Sequence, residues 1–418
     1  MSTLDSLFGD DAAVLGDTSF QLLLLANLLP PLGTALLSPV LDSLVEPFGT
    51  TATDIGLMMS FFTAPPIVVI PLAGLLADRY GRKPVIVTSL LLFGLAGSAI
   101  ALTTNFRVVL GLRLLQGVAF GGLTPVLITS IGDLYVGTRE ATAQGLRFTS
   151  SGLTQTVFPL IAGATVAIAW QLPFLMYTMA VPIALLVALR FEEPSTAADE
   201  STATDRDGSY LRELLGVVAQ PRVLSLVFAR ATPIVVWIAF LTYNSIVVVR
   251  LQGGTPGEAG LLVALGSLAY ATAASQAGRI TSMVDSRFLP LVAAHGILSV
   301  GFVLVLYAPG LAVAAVGILL SGAGFGTALS LYRSIITGLA PQRLRAGVVG
   351  LSESNGRLIA TLTPVLMGAL IATLAPQVGF GTALRLSGVT AAALGGGGGV
   401  VCLLVAKLAG PTVTERTA

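Results

Sequence analysis

The feature that most constrains this chain is a series of long apolar stretches separated by short polar connections. Each reaches about 20 residues, the length an α-helix needs to cross the hydrocarbon core of a bilayer. Strands of a membrane β-barrel alternate apolar and polar side chains over about 10 residues, whereas these stretches are continuously apolar. The sequence predicts twelve helical spans, at residues 21–44, 54–77, 84–104, 108–135, 142–168, 171–190, 223–249, 258–282, 288–308, 311–336, 346–373 and 382–408.

The composition supports an all-α membrane protein. Only 10% of the 418 residues are charged, against roughly 25% in an average soluble domain, and the mean hydropathy is +0.89. So few charged side chains could not cover the surface of a soluble protein of this length. The lipid bilayer is therefore the predicted surrounding of the chain.

The same counts exclude several classes of function. A net charge of +1 without a basic stripe argues against nucleic-acid binding. The single cysteine, Cys402, and the single histidine, His295, leave no disulfide framework and no Cys- or His-based metal site. No phosphate-binding loop or catalytic constellation is evident. We therefore predict neither an enzyme nor an ATP-driven pump, and no cofactor or metal.

The distribution of Lys and Arg predicts the orientation. With the N-terminus inside, 14 of the 22 basic residues fall in cytoplasmic loops and ends, and only Arg107 and Arg250 fall outside. This bias satisfies the positive-inside rule and places both termini in the cytoplasm. The residues before the first span contain acids but no Lys or Arg, so they do not resemble a cleaved signal peptide. The predicted location is the cytoplasmic membrane.

A polar segment at residues 191–222 divides the chain. It is rich in Ser, Thr, Ala and Asp, which is typical of a solvated linker. The predicted domains are thus an N-terminal six-helix bundle at 1–190 and a C-terminal one at 223–418. The linker is interpreted as a spacer, with a regulatory role as the alternative.

The two halves also repeat one another. Residues in spans 4 and 5 recur in spans 10 and 11 at an offset of 205, and residues in spans 2 and 8 recur at 204. The most telling pairs are Phe120 with Phe325 and Pro159 with Pro364, because small residues match easily by chance. Two similar bundles can rock about a central site, which is a mechanism for alternating access.

A motif of glycines and charges lies between the second and third spans. Its predicted functional residues are Gly74, Asp78, Arg79, Gly81, Arg82 and Lys83. Gly74 would let two helices approach closely, Gly81 would supply a turn, and the cations would hold the loop in the cytoplasm. An ordinary basic loop would explain the cations but not the spacing of the glycines and the acid.

This motif closely resembles the G-x-L-a-D-r-x-G-R-k signature of the major facilitator superfamily. The resemblance implies a transporter of twelve spans in two pseudo-symmetric six-helix bundles. It also implies that Asp78, Arg79 and Arg82 join a cytoplasmic charge network that closes one conformation, with Asp133 as a partner. The corresponding stretch of the second half, beginning at Gly278, lacks the matching acid.

The fourth and fifth spans point to one branch of that family. Arg113, Gln116 and Gly117 are similar to the R-x-x-q-G element of proton-coupled members, in which the Arg influences proton transfer. In the fifth span, Pro159 and Gly163 match the Gly-rich element of drug–proton antiporters, although two of its other glycines are replaced. Packing of the helices is the alternative interpretation for both elements.

Charged residues within late spans are the other candidates for proton coupling. Glu353 and Arg357 lie four residues apart in the eleventh span and are predicted to pair on one helix face. A carboxylate in a cavity of low dielectric could take up and release a proton. A fixed structural ion pair is the alternative. His295 is interpreted as a satisfied packing residue, and the five glycines at Gly395–Gly399 predict a local irregularity in the last span.

Polar side chains within the spans are candidates for the lining of a substrate cavity. These are Asn27, Thr34, Gln116, Gln155, Tyr243, Asn244, Tyr270 and Gln276. Being uncharged, they favour an apolar or weakly polar organic solute. Hydrogen bonding between helices is the alternative role for each.

Together these observations predict a monomeric secondary transporter that exports a small organic solute, with protons as the coupling ion. The alternatives are a proton-coupled uptake symporter or facilitator for a sugar or metabolite, and a non-transporting membrane sensor of the same fold.

Overall fold

The computed structural model describes residues 14–193, 208–282, 284 and 288–410. Within these residues the chain folds into helices and forms no β-strand. Eleven helices of the described part are long and apolar enough to cross a membrane. The prediction of an all-α membrane fold is confirmed.

The chain divides into two compact units. Unit 1 contains the described residues of Met1–Ala197 together with Thr255–Leu261, and unit 2 contains those of Ala198–Gly254 and Leu262–Ala418. The helices of unit 1 are Thr18–Asn27 (α1), Leu32–Ala35 (α2), Leu57–Thr63 (α3), Pro66–Tyr80 (α4), Arg82–Ala99 (α5), Phe106–Leu134 (α6), Thr138–Val166 (α7), Leu172–Leu175 (α8) and Ala180–Arg190 (α9).

The helices of unit 2 are longer and less interrupted. They are Gly208–Val218 (α10), Pro221–Ile246 (α11), Pro256–Ser282 (α12), Phe288–Tyr307 (α13), Leu311–Thr337 (α14), Gln342–Val378 (α15), Phe380–Ala393 (α16) and Gly399–Leu408 (α17). Two π-helical segments, Val247–Leu251 and Leu394–Gly398, follow α11 and α16. Only the first turns of α12 belong to unit 1.

Backbone contact explains why the start of α12 groups with unit 1. A side chain at Gly163 in α7 would overlap the backbone oxygen of Pro256, and one at Gly260 would overlap that of Pro159. The two helices therefore touch through their backbones, which small residues permit.

Proline pairs break the first two spans. Pro30 and Pro31 separate α1 from α2, and Pro65 and Pro66 separate α3 from α4. Because proline lacks a backbone N–H and clashes with the preceding turn, a regular helix does not continue through such a pair. The carbonyl groups around the breaks become available to side chains.

The fifth predicted span differs from the others in composition. The helix α7 is present and has 29 residues, but it is not among the eleven apolar helices of the described part. It carries Thr, Ser and Gln side chains along much of its length. Of the twelve predicted spans it is therefore the exception, a long helix with a polar surface.

The sequence repeat corresponds to the same helix crossing in both units. In unit 1, a side chain at Gly117 in α6 would overlap the backbone oxygen of Phe62. In unit 2, a side chain at Gly322 in α14 would overlap the backbone oxygen of Gly266. The positions differ by 205 on one helix and 204 on the other, which are the offsets found in the sequence. The repeat thus preserves a close helix–helix contact.

The glycine run of the last span forms a π-helix, so the predicted irregularity is confirmed. Gly395, Gly396 and Gly399 are buried against other helices of unit 2, whereas nothing lies within 4 Å of a side chain built at Gly397 or Gly398. A side chain at Gly399 would begin 2.5 Å from Nδ1 of His295. Because these glycines have no side chains, there is space for the His295 ring beside them.

His295 is fully buried and its two ring nitrogens both have partners. Nδ1 lies 2.8 Å from the backbone oxygen of Gly395, and Nε2 lies 2.8 Å from the hydroxyl of Tyr332. This arrangement agrees with the interpretation of His295 as a satisfied packing residue.

Part of the predicted linker is structured, which differs from the expectation of a solvated spacer. Residues 194–207 of that linker lie outside the described residues, but α10 follows at Gly208–Val218. Leu214 is buried in the apolar core of unit 2. It lies beside Gly347, and Glu213 pairs with Arg343 at 3.4 Å. The amphipathic pattern of α10 explains this docking, since one apolar face needs a partner.

Candidate functional site

The signature motif forms an ion-pair network around Arg82. Its guanidinium donates to Oδ1 of Asp78 at 2.8 Å and to Oδ2 of Asp133 at 3.0 Å. Asp78 lies on α4, Arg82 opens α5, and Asp133 lies in the last turn of α6. One side chain therefore connects three helices of unit 1, as the resemblance implied for Asp78, Arg82 and Asp133.

The turn between α4 and α5 depends on Gly81. Its φ angle is +94°, a conformation that side-chain-bearing residues rarely adopt. The carboxylate of Glu193 occupies the space beside Gly81 and accepts a hydrogen bond from the backbone N–H of Arg82. Sequence reasoning missed Glu193, because nothing in the pattern shows that the chain after α9 returns to this turn.

Two other motif residues do not join this network. Arg79 stacks over the ring of its neighbour Tyr80, with 5.4 Å from the guanidinium carbon to the ring centroid. A side chain at Gly74 would meet no heavy atom within 4 Å, so the expected close helix approach at Gly74 is not found in this structure. Lys83 follows Arg82 in the first turn of α5.

A second contact holds the start of α1 near the end of α6. Asp17 caps α1 by accepting a hydrogen bond from the N–H of Ser19 at 2.8 Å, and it also accepts from the hydroxyl of Tyr135 at 2.6 Å. Burial raises the pKa of Tyr135 above its ordinary value, and the hydrogen bond to Asp17 adds to this shift. The Tyr135 side chain therefore stays a neutral donor in the folded protein.

Arg113 is completely buried, and its charge is met by carbonyl groups. It donates to the backbone oxygens of Met58 at 3.0 Å and Gly33 at 2.5 Å, and to Oε1 of Gln116 at 2.7 Å. Its guanidinium also lies over the ring of Phe62, 4.5 Å from the centroid. Gly33 lies in α2 and Met58 in α3, so the carbonyls of both interrupted spans satisfy this buried charge.

Half of the predicted cavity residues are buried between helices. Asn27 donates to the backbone oxygen of Arg147 at 3.0 Å and to the hydroxyl of Ser151 at 2.7 Å. Gln116 holds Arg113, and Tyr243 donates weakly to the backbone oxygen of Pro364 at 3.5 Å. Asn244 is likewise buried. These positions favour the alternative role of hydrogen bonding between helices.

The other four predicted cavity residues keep some exposure. They are Thr34, Gln155, Tyr270 and Gln276. Gln155 donates to the Ser151 carbonyl of its own helix at 3.4 Å, and Gln276 accepts from Arg279 at 3.1 Å. Tyr270 lies in an aromatic group with Trp237 and Phe325.

The charges of the eleventh predicted span have different partners from those expected. Glu353 pairs with Arg230 of α11, and its carboxylate also lies 3.9 Å from Arg333 of α14. Arg357 interacts electrostatically with Glu353 and Arg230. Two arginines from other helices thus approach the carboxylate for which the sequence predicted Arg357 as the partner. The sequence shows Arg230 and Arg333 as charges within predicted spans, but it does not show that both lie beside Glu353.

The polar contacts of the two units repeat as the sequence does. In unit 1, a side chain of the first span donates to the backbone oxygen of Arg147. In unit 2, Arg230 of α11 donates to the backbone oxygen of Ser352 at 2.9 Å. The two carbonyls are 205 positions apart. In both units, the backbone oxygen at this repeated position accepts a hydrogen bond. The donor is a side-chain amide in unit 1 and a guanidinium group in unit 2.

Comparison with curated proteins finds bacterial exporters. The chain is 30% identical over 150 residues to the bacillibactin exporter of Bacillus subtilis, covering 34% of this chain and 37% of that protein. It is 28% identical over 143 residues to the quinolone resistance protein NorA of Staphylococcus aureus, covering 34% and 37%. The alignments thus span about a third of each protein.

Solved structures resemble the fold over nearly the whole chain. A bacterial homologue of the human lysosomal transporter Spinster has a TM-score of 0.72 at 17% identity, covering 100% of this chain and 98% of that one. The nucleoside transporter NupG has a TM-score of 0.76 at 13% identity, covering 94% and 100%. A D-xylose–proton symporter has a TM-score of 0.72 at 15% identity, covering 90% and 96%.

The family model described as Major Facilitator Superfamily matches residues 23–364. This match covers most of the chain and includes the signature motif. The exporter among the curated relatives and the transporters among the solved structures agree with this match. The chain belongs to the Major Facilitator Superfamily.

Proposed function

We propose that this protein exports a small organic solute across the cytoplasmic membrane in exchange for protons. The relatives named as an exporter and as a resistance protein support the direction of transport. The positive-inside distribution of Lys and Arg supports cytoplasmic termini. The protein acts as a monomer in this proposal.

The observation that carries the proposal is the network around Arg82. One guanidinium joins the ends of three helices by pairing with two carboxylates, those of Asp78 and Asp133. Ion pairs of this kind can break and reform when packed helices change their arrangement. We assign Asp78, Gly81, Arg82 and Asp133 to a conformational gate, whereas Gly74, Arg79 and Lys83 of the same motif have no contact in this network among the described residues.

Proton coupling is assigned to Arg113, Glu353 and Arg357. Arg113 connects the first two spans through Gly33 in α2 and Met58 in α3, so a change in its partners would reach both interrupted spans. Glu353 is a carboxylate within a span and is partly exposed. A carboxylate at such a place can load a proton on one side and release it on the other.

Transport into proteoliposomes tests the proposal and separates its alternatives. With an acidic lumen, a proton antiporter accumulates solute above the outside concentration, and a symporter does so only with an alkaline lumen. A facilitator merely equilibrates the solute, and a sensor moves none. Bacillibactin and a quinolone are the first solutes to use, because the relatives carry these names.

Matched variants connect the assay to the site. Arg113→Ala should abolish accumulation, because it removes three hydrogen bonds from buried acceptors. Arg107→Ala changes an exposed arginine of the same helix and should leave accumulation intact. Undiminished accumulation by Arg113→Ala would contradict the coupling role of this residue.

A proton-coupled symporter is the second candidate, and the surroundings of Glu353 favour it for one class of solute. Arg230 and Arg333 approach this carboxylate, and Arg357 follows it by one turn of the same helix. Protonation of Glu353 would remove its negative charge from beside these guanidinium groups. An anion and a proton would then bind together, which is the sense of symport. Accumulation with an alkaline lumen would support this candidate.

A further inference from the structure

The linker helix α10 packs against unit 2 through one of its two faces. Arg212 and Leu215 on the other face are exposed. Side chains at positions i, i+4, i+7 and i+8 share one face of a helix. At this spacing, four residues pack in or against the apolar core of the unit: Tyr210, Leu214, Val217 and Val218. The second part of the linker is therefore docked on unit 2.

The docking contact lies at Gly347 of α15. A side chain built there would begin 2.8 Å from both terminal methyl carbons of Leu214 and 2.9 Å from the hydroxyl oxygen of Tyr210. The missing side chain thus leaves a notch on α15, which we call the Gly347 notch, and two side chains of α10 occupy it. Glu213 also pairs with Arg343 at 3.4 Å, but both side chains are about half exposed, and such pairs contribute little. The notch is the main contact.

The helix α15 does not itself require a glycine at this position. The sequence repeat at an offset of 205 relates Gly347 to Thr142 in α7. Unit 1 therefore builds the corresponding helix with a β-branched side chain at that place. Glycine within a helix is unfavourable, because it loses more conformational freedom on folding than other residues. What Gly347 provides in return is the room that Leu214 and Tyr210 occupy.

The helical state of α10 depends on this docking. It has 11 residues, and isolated helices shorter than about 12–15 residues are marginal in water. Loss of the contact at the Gly347 notch therefore also removes the reason for α10 to stay helical. Docking and helix formation are gained or lost together, which gives the segment two distinct states.

The docked helix connects two spans that also share an ion pair. Glu353 of α15 pairs with Arg230 of α11. Gly347 precedes Glu353 by six residues, which is about 9 Å along the helix. The chain runs from α10 almost directly into α11 at Pro221, and α10 contacts α15 at the notch. Docked α10 therefore ties α11 and α15 together at the end where both helices begin.

We propose that α10 is a clamp: docked in the Gly347 notch, it holds the start of α15 against α11, and its release frees α15 to move. In the proposed function, Glu353 takes up a proton and loses its ion pair with Arg230. The start of α15 can then shift only when the clamp releases, so docked α10 slows transport. This effect on transport rests on the proposed function, whereas the docking and its release do not.

Hydrogen exchange tests the docking without any solute. The purified full-length chain in nanodiscs is compared with Gly347→Leu, which fills the notch. We expect exchange of the α10 backbone to become at least about tenfold faster, because opening a local unit exposes its amides. Gly350→Leu is the matched control on the same helix, since nothing lies within 4 Å of a side chain built there. It should leave the exchange of α10 unchanged.

A spin label on α15 tests the clamp itself. Replacing the single cysteine by Cys402→Ala allows one label to be attached through Gly350→Cys, at the open position of α15. Leu214→Gln should release α10 and narrow the lines of the label's spectrum, which reports greater mobility. Leu215→Gln makes the same change at the neighbouring residue, which is 54% exposed, and should leave the spectrum as it was.

The rate of solute accumulation in proteoliposomes completes the test. Gly347→Leu and Leu214→Gln should both increase this rate several-fold, while Gly350→Leu and Leu215→Gln should not change it. The two releasing variants alter the contact from opposite sides, so the prediction does not depend on the folding of either one. A segment with a merely structural role would give slower transport when released.

Unchanged exchange of α10 in Gly347→Leu would overturn the docking notch. Release of α10 without greater mobility of the label would overturn the clamp, as would transport that is slower or unchanged. If the wild type accumulates no solute but release of α10 still mobilises the label, the proposed function is wrong and the clamp stands. If the wild type accumulates solute and release leaves the label immobile, this inference alone is wrong.

Discussion

The glycine run of the last span allows a prediction in which neighbouring glycines have opposite effects on stability. Gly399→Ala places a methyl group 2.5 Å from Nδ1 of His295 and 2.6 Å from the hydroxyl of Thr232. The imidazole must then move away from Gly395 and Tyr332. Gly398→Ala adds the same methyl group one position earlier, where nothing lies within 4 Å.

The magnitudes follow from the contacts that each variant changes. Displacing His295 leaves two buried hydrogen bonds unmade, at about 1–3 kcal/mol each. Replacing glycine by alanine within a helix returns about 0.5–1 kcal/mol. Gly399→Ala should therefore lower the free energy of unfolding by about 1–5 kcal/mol, while Gly398→Ala should raise it by about 0.5–1 kcal/mol.

Unfolding of the purified protein in mixed micelles by increasing denaturing detergent, followed by tryptophan fluorescence, measures both changes. The chain has only two tryptophans, Trp170 and Trp237, and the second lies in unit 2 with the glycine run. The reasoning is refuted if the two alanine variants are equally stable. It is also refuted if Gly399→Ala is the more stable of the two, since His295 would then not occupy the recess.

Three further predictions test unit 1. Arg82→Gln should reduce the rate of solute accumulation several-fold, because it breaks both carboxylate contacts, whereas Arg79→Gln should leave the rate close to normal. Gly117→Leu should prevent folding or abolish accumulation, and Gly145→Leu, at an open position, should be tolerated by both measures. The raised pKa of Tyr135 stabilises the folded state below the ordinary value of 10.0, and this contribution is lost as the pH rises towards the folded pKa. Between pH 8 and 11, the wild type should therefore lose more unfolding free energy than Tyr135→Phe; equal losses would contradict the role of this hydroxyl.

The sequence suggested an uncharged lining, which favours a neutral solute, yet four of the eight residues chosen for that lining are buried between helices. The second candidate function, symport of an anion with a proton, instead requires positive charge near the solute, and Arg230 and Arg333 lie beside Glu353. The charge on the solute is therefore the property whose measurement would most directly separate these interpretations.

Some features of the site were predictable because they depend on local sequence. The turn at Gly81 needs a residue that tolerates a positive φ angle. Asp78 and Arg82 are four residues apart on either side of this turn, and their opposite charges pair. Asp133 could be named because the family resemblance supplied a partner at that helix end. Glu193 had no such signal, since its position depends on where the sixth span ends in space.

The sequence by itself determined the class of structure. In lipid, the backbone N–H and C=O groups of an apolar run must hydrogen-bond within the protein, so these runs form helices. The sequence repeat at an offset of 205 also preserves the glycines at which α6 and α14 cross their neighbours. Only the tertiary structure decided which charges meet. Glu353 and Arg357 lie on one helix, but Arg230 and Arg333 reach the same carboxylate from two others. The strength of an ion pair between two helices depends on the distance between the charges and on the local dielectric constant. The spacing of residues along the sequence gives neither quantity.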